Sequence, residues 1–167
     1  MLDIKYDIVG SFLRPQEVKE AREAFKNGTI SREELTAVED KMIADLVSKE
    51  VAHGLKFVTD GEFRRRWWHL DWLKEFDGFD TIIRHKELNG MVHELEYGQV
   101  TGKFFYDKNK DHAEMYAWEF LNGEAQKYDG IIAKKCISGP NMILIDHLLQ
   151  LGHKDTPYYG NDIEALI

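Results

Sequence analysis

The chain is 167 residues long, 43% hydrophobic and 31% charged, with a formal net charge of −8. That length fits one domain with its own core, and the composition excludes a disordered tail. The acidic balance argues against nucleic-acid binding, which needs a basic footprint, and no apolar run approaches the roughly 20 residues that cross a bilayer. The N-terminal stretch Met1 to Asp7 lacks the basic-then-apolar pattern of a signal peptide, so a cytoplasmic protein with no nucleic-acid or membrane partner is expected. Cys136 is alone, which excludes a disulfide framework and a Cys-x-x-Cys metal knuckle. It sits in an apolar run, where a free cysteine is usually a small buried hydrophobe.

Residues Ile4 to Val9 read as a strand ended by Gly10-Ser11. Arg14-Pro15 then opens a helix, since proline suits the first helical position, and Val18, Ala21, Arg22 and Phe25 keep helical spacing up to the stop at Asn27-Gly28. Ser31-Arg32-Glu33-Glu34 is a capping box: hydroxyl and carboxylate each satisfy a free amide. The long helix behind it carries Leu35, Val38, Met42, Ile43, Leu46, Val47 and Val51 on one stripe, with Glu34, Asp40, Asp45 and Lys49 mostly off it. Gly54 ends this helix, and Leu55 to Val58 is a short buried strand.

The segment Thr59 to Trp72 follows the end of that strand. Asp60 and Glu62 flank a glycine; Arg64, Arg65, Arg66, Trp67, Trp68, His69, Asp71 and Trp72 come next. Rings and charges mixed this densely suit a pocket for a small polar molecule. A surface ion-pair cluster with rings packed beneath it is the plainer reading. His69 and Asp71, two apart on a helix, do not share a face, so no metal site is expected from them. The other six histidines show no ligand spacing.

Beyond Trp72, a helical turn or two runs to Gly78, and Phe79 to Val92 has no clear period. Glu94 to Tyr106 alternates and holds glycines, as strands or a hairpin would. Asp111-His112-Ala113-Glu114 resembles a second capping box, before a helix face of Met115, Trp118, Leu121 and Ala125. Ile131 to Ile137 is a strand broken by Ser138-Gly139-Pro140, Met142 to Leu151 a short helix, and a last helix begins at Asn161 or Asp162. Strand and helix thus alternate about four times, which favours a parallel sheet covered by helices. Ser11, Glu62 and Ser138 all fall just past an expected strand end, where ligands collect in such folds.

Three motifs stand in order: Gly10-Ser11-Phe12-Leu13-Arg14-Pro15, Asp60-Gly61-Glu62-Phe63-Arg64-Arg65 and Ser138-Gly139-Pro140. In them the chain resembles the first half of the catalytic barrel of cobalamin-independent methionine synthases, and more closely the short stand-alone relatives that have only that barrel. The resemblance implies an α/β fold, the first half of a (β/α)8 TIM-type barrel with about four βα units, over residues 1–167 as one partial domain. It implies an S-methyltransferase of the methyltetrahydropteroyltriglutamate–homocysteine type. A methyl group would pass from methyltetrahydrofolate to homocysteine or a similar thiol, in methionine synthesis. Zinc, the family's cofactor, would hold the thiol as its thiolate.

By the same resemblance, Val9, Gly10 and Ser11 would grip the amino acid's carboxylate end and Glu62 its ammonium. Asp60 stands where the full-length synthases carry a histidine. Arg14, Asp60, Arg64, Trp68 and His69 complete the candidate substrate site, with no catalytic residue assigned. The family's zinc ligands, a His-x-Cys pair, a Glu and a later Cys, have no counterpart in these residues, and Cys136 matches neither cysteine. Four βα units cannot close an eight-strand barrel, so self-association or a complementary half is the expected partner, beside the small-molecule substrate. The alternatives are a non-catalytic half-barrel that oligomerises, or one part of a split enzyme acting on another small thiol.

Residue by residue, plainer roles stand beside these. Glu62 can pair with Arg64 or Arg65, Ser11 can cap a helix, and Arg14 can be an anion contact or a surface ion pair. Trp67, Trp68 and Trp72 can be core rings, or one of them can cover the substrate or stack a pteridine.

Overall fold

A computed structural model of the chain describes residues 7–9, 11–139 and 142. Gly10, most of the first expected strand, the body of the Met142–Leu151 helix and the final helix lie outside the described residues. The chain is a small mixed α/β protein of four helices and four strands among those residues. They divide into two compact units: one holds the residues up to Arg65 with Ala113–Cys136, the other Arg66–His112 with the residues from Ile137.

The first unit contains α1 (Gln16–Lys26), α2 (Arg32–Ala52), β1 (Phe57–Val58), α4 (Ala113–Ala125) and β4 (Ile132–Ala133). Pro15 caps α1 from just outside it rather than opening it. The helix closes with Gly28 at φ +71° and paired bonds from Gly28 N–H to Phe25 O and from Thr29 N–H to Ala24 O. The α2 capping box is present as expected: the Glu34 N–H donates to Ser31 Oγ at 3.2 Å and the Ser31 N–H to Glu34 Oε2 at 2.7 Å. Its far end repeats the closure of α1, with Gly54 N–H to Val51 O and Leu55 N–H to Glu50 O.

Strands β1 and β4 pair in parallel, Phe57 with Ile132 and Val58 with Ala133. Their core joins Val18 of α1, Ile43, Leu46 and Val47 of α2, Val58, Phe63, Leu121, Ala125 and Ala133. Two expectations change here. The buried side of α4 is Ala117, Leu121 and Ala125, while Met115 and Trp118 are exposed, because the stripe that meets α2 follows the four-residue ridge. Glu114 makes no capping box; its carboxylate turns instead to Arg65 and Lys135.

The second unit holds α3 (Leu70–Leu73), β2 (Asp77–Leu88) and β3 (Met91–Phe105). Strands β2 and β3 form one long antiparallel hairpin closed by Asn89 at φ +53° and Gly90 at φ +75°. Two left-handed residues in a two-residue loop make the turn whose twist matches that of paired strands. This corrects the expectation for Phe79 to Val92, which is strand throughout apart from the turn. Asn89-Gly90 is the sequence signal for it. Gly78, at φ +82°, passes so close to the Lys103 backbone that no side chain fits.

Leu70, Leu73, Phe79 and Val100 form the core of this unit, with Trp67, Trp72 and Phe104 packed against it; Trp68 is half exposed. Glu96 reaches under the hairpin and accepts from Trp67 Nε1 at 2.7 Å, Lys74 Nζ at 2.5 Å and Thr81 Oγ1 at 2.8 Å. The expected run of four parallel βα units is not formed by the described residues: one parallel pair and one antiparallel hairpin take its place. No described helix is long and apolar enough to cross a membrane.

Candidate functional site

Strand β1 delivers the chain into Thr59-Asp60-Gly61-Glu62, and the geometry of these four residues sets the site. Gly61 has φ +60° and Glu62 φ +57°. Glycine takes that conformation freely, whereas a glutamate there is strained and persists only where its surroundings hold it. They do. The Glu62 N–H donates to Asp60 Oδ1 at 2.9 Å, and the Gly61 N–H to Thr59 Oγ1 at 3.3 Å. A Cβ on Gly61 would lie 2.7 Å from Leu46 Cδ2 and 3.3 Å from Phe12 Cβ. Only glycine lets the 11–14 segment and α2 close on this turn.

That segment is fastened to the turn by two contacts. The Phe12 N–H donates to Gly61 O at 3.2 Å. Arg14 donates to the carbonyls of Glu62 at 2.9 Å, Arg65 at 2.5 Å and, from Nε, Phe63 at 3.4 Å. Arg22 of α1 adds bonds to Phe63 O at 2.9 Å and Arg65 O at 3.1 Å. Both guanidinium groups therefore serve the backbone of the 62–65 loop. Ser11 and Val9 are exposed beside it, Val9 to 83%.

Around Glu62 a charged cluster gathers. Arg65 Nη1 lies 3.4 Å from Glu62 Oε1, and its Nη2 lies 3.2 Å from Glu114 Oε2. Lys135 Nζ, just past β4, lies 2.8 Å from Glu114 Oε2 and 3.7 Å from Asp60 Oδ2. Arg65 Nη1 also donates to the Cys136 carbonyl at 2.6 Å. Burial works against the Arg65 charge, but Glu114, Asp60 and Glu62 outweigh it, so its pKa is raised. Burial likewise opposes ionisation of Glu114, and Lys135 and Arg65 still hold its carboxyl below the usual range. Glu62 keeps a side-chain exposure of 13%, enough to meet a small ligand at one edge.

Beneath the turn, Glu50 of α2 is buried, and burial pushes its carboxyl up to about 7, against the pull of hydrogen bonds from Thr59. Arg64 points elsewhere. It is held by Glu39 at 3.2 Å and by Asp40, over the rings of Tyr116 and Phe120. Burial pushes the Glu39 carboxyl up, with Arg64 pulling the other way.

The sequence-predicted residues thus part company. The structure brings Asp60, Glu62 and Arg14 together, places Ser11 on the adjoining segment, and turns Arg64 toward α2. Trp68 and His69 belong to the second unit, where their ring centroids lie 4.8 Å apart with the planes tilted by 47°. Gly10 lies outside the described residues. Glu39, Glu50, Glu114 and Lys135 are the residues that reading the sequence missed. For the two α2 acids a signal exists, since both interrupt an otherwise apolar stripe. For Glu114 and Lys135 the partner is distant in sequence, and no local pattern marks it.

Among the described residues no group of three or more His, Cys, Asp or Glu side chains is placed to hold a metal ion. The zinc implied by resemblance therefore does not fit the described residues.

Two solved structures are similar to the chain. A protein from Listeria monocytogenes named as a candidate vitamin-B12-independent methionine synthase matches 82% of this chain at 34% identity, with a TM-score of 0.63; the match spans 36% of that chain. A B12-independent methionine synthase from Shewanella sp. W3-18-1, solved in complex with selenomethionine, shares the fold at 18% identity and a TM-score of 0.51, covering 71% of this chain and 32% of that one. Two Bacillus subtilis (strain 168) relatives, the uncharacterised proteins YxjH and YxjG, are 33% and 32% identical over 160 residues. The alignments cover 94% and 95% of this chain but only 41% and 39% of those relatives. No family model matches the chain.

Proposed function

We propose that this chain is the amino-acid-gripping half of a methionine-synthase-like barrel, the 59–62 turn and the adjoining Ser11 segment receiving a homocysteine-like thiol. The observation that carries the reading is the fixed orientation of Glu62, with one edge of its carboxylate open. The Glu62 backbone is held left-handed by bonds to Asp60 and Arg14, and its carboxylate, with Oε1 3.4 Å from Arg65 Nη1, keeps 13% side-chain exposure. A carboxylate open at one edge can accept a charge-assisted hydrogen bond, and an amino-acid ammonium is a donor of the right size for it.

On this reading the Glu62 carboxylate accepts from the ligand's ammonium, and the exposed Ser11 hydroxyl donates to its carboxylate. The first contact can form without rearranging the loop, because the left-handed Glu62 backbone is already held by Asp60 and Arg14. The similarity to the Listeria protein supports methionine synthesis as the reaction class; methyltetrahydrofolate as donor rests on the motif resemblance alone. This chain's residues hold and orient the amino-acid end only. A complementary half that completes the barrel, and with it any zinc, is part of the same proposal.

Calorimetry on the chain tests it with L-methionine, L-homocysteine and 4-(methylthio)butanoate, which lacks the amino group. Binding of the two amino acids, its loss in Glu62→Gln and no binding of the butanoate are expected. Equal binding of all three, or an unchanged affinity in Glu62→Gln, overturns the ammonium contact.

A further inference from the structure

Glu50 lies on the apolar stripe of α2, only 3% exposed, and the ligand grip proposed above does not touch it. A carboxyl there is unfavourable unless its oxygens are hydrogen-bonded. Glu50 Oε2 accepts from the Thr59 N–H at 3.0 Å, and Oε1 accepts from the same N–H and from the Thr59 hydroxyl, both at 3.2 Å. With its proton given to Glu50, the Thr59 oxygen presents a lone pair to the Gly61 N–H at 3.3 Å. The relay ends on the two consecutive left-handed residues, Gly61 and Glu62. Every described hydrogen bond to the Glu50 carboxylate comes from Thr59.

We infer that Glu50 is a positioning residue for Glu62: through Thr59 and Gly61 it fixes the left-handed turn that aims the Glu62 carboxylate. Its functional consequence rests on the ammonium-binding reading; the tether itself belongs to the free protein. The ionised carboxylate accepts every bond of the relay. Protonation turns one oxygen into a donor that competes for the Thr59 hydroxyl, and the tether slackens. The charged groups that face Glu50 are Asp60, following β1, and Lys134, following β4. Lys134 is itself bonded to Asp7 at 2.6 Å and to the Ile8 carbonyl. Burial places the Glu50 transition near pH 7, where small changes in pH reset the relay.

Amide NMR on the full chain from pH 5.5 to 8.5 tests the tether without any ligand. In the wild type, the Thr59, Gly61 and Glu62 amides are expected to titrate with one shared midpoint near pH 7, and in Glu50→Gln that midpoint disappears. Should Glu50→Gln fail to fold, Thr59→Val serves: the backbone amide at the substituted position should still titrate while the Gly61 amide no longer does. No shared midpoint in the wild type overturns the inference. So does a midpoint that survives in Glu50→Gln, or a Gly61 titration that survives in Thr59→Val. Methionine calorimetry at pH 6 and pH 8 then separates the two proposals. Affinity several-fold weaker at pH 6, levelled in Glu50→Gln, supports both. Titrating amides with no methionine binding leave the tether standing and sink the ammonium reading. Binding with silent amides does the reverse.

Discussion

Arg14 donates from Nη2 to the backbone carbonyl of Glu62 at 2.9 Å, across 48 positions of sequence. The same guanidinium reaches the carbonyls of Phe63 and Arg65, so one side chain closes three acceptors of a single loop. Hydrogen bonds from a charged donor contribute more than neutral ones, roughly 1.5–3 kcal/mol each when lost from a buried place. Arg14→Ala should therefore destabilise the first unit by about 2 kcal/mol or more, read as a lower urea midpoint. Arg14→Lys should recover only part of it, because an ammonium lacks the planar fork.

Gly61 is the second point of sensitivity. An added Cβ meets Leu46 and Phe12 and would sit at φ +60°. Gly61→Ala should cost about 3 kcal/mol, adding overpacking to backbone strain. Gly28, at φ +71° with open space around it, separates the two contributions. Gly28→Ala should cost about 1 kcal/mol from strain alone. Thermal melts of both variants check the difference.

Stability should also carry a pH signature from Glu50. Burial raises its folded-state pKa from 4.5 to about 7, so between those values the folded chain binds the proton more tightly than the unfolded chain. That contribution is complete below the unfolded value and is lost as pH rises toward 7. By linkage it amounts to about 3 kcal/mol across the window. Glu50→Gln should flatten this slope between pH 4.5 and 7, measured as urea-unfolding free energy against pH.

Glu96 should behave in the opposite sense. Burial disfavours its charge, but hydrogen bonds from Lys74, Thr81 and Trp67 hold its carboxyl down at about 2. Its contribution is present above the unfolded value of 4.5 and fades as pH falls toward 2. Glu96→Gln keeps the shape but removes the charge, and should destabilise the second unit by about 2 kcal/mol at neutral pH. Quenching of Trp67 fluorescence on acid titration reports the same loss in the wild type.

The sequence by itself determined the local structure of the first unit. The Ser31–Glu34 box, the stops at Gly28 and Gly54, the α2 stripe and the strand leading to Asp60-Gly61-Glu62 were all legible, because each depends on residues within a turn or two of one another. The hairpin turn at Asn89-Gly90 was legible in principle and was masked by the polar strands around it. What only the tertiary structure decided was how the charges were shared out. Arg14 went to carbonyls, Arg64 to Glu39 and Asp40, and Glu62 to a cluster completed by Glu114 and Lys135 from 50 and more positions away. Caps and stripes are written in neighbouring residues, whereas the partner of a buried charge is whichever opposite charge the packing of distant elements brings within reach.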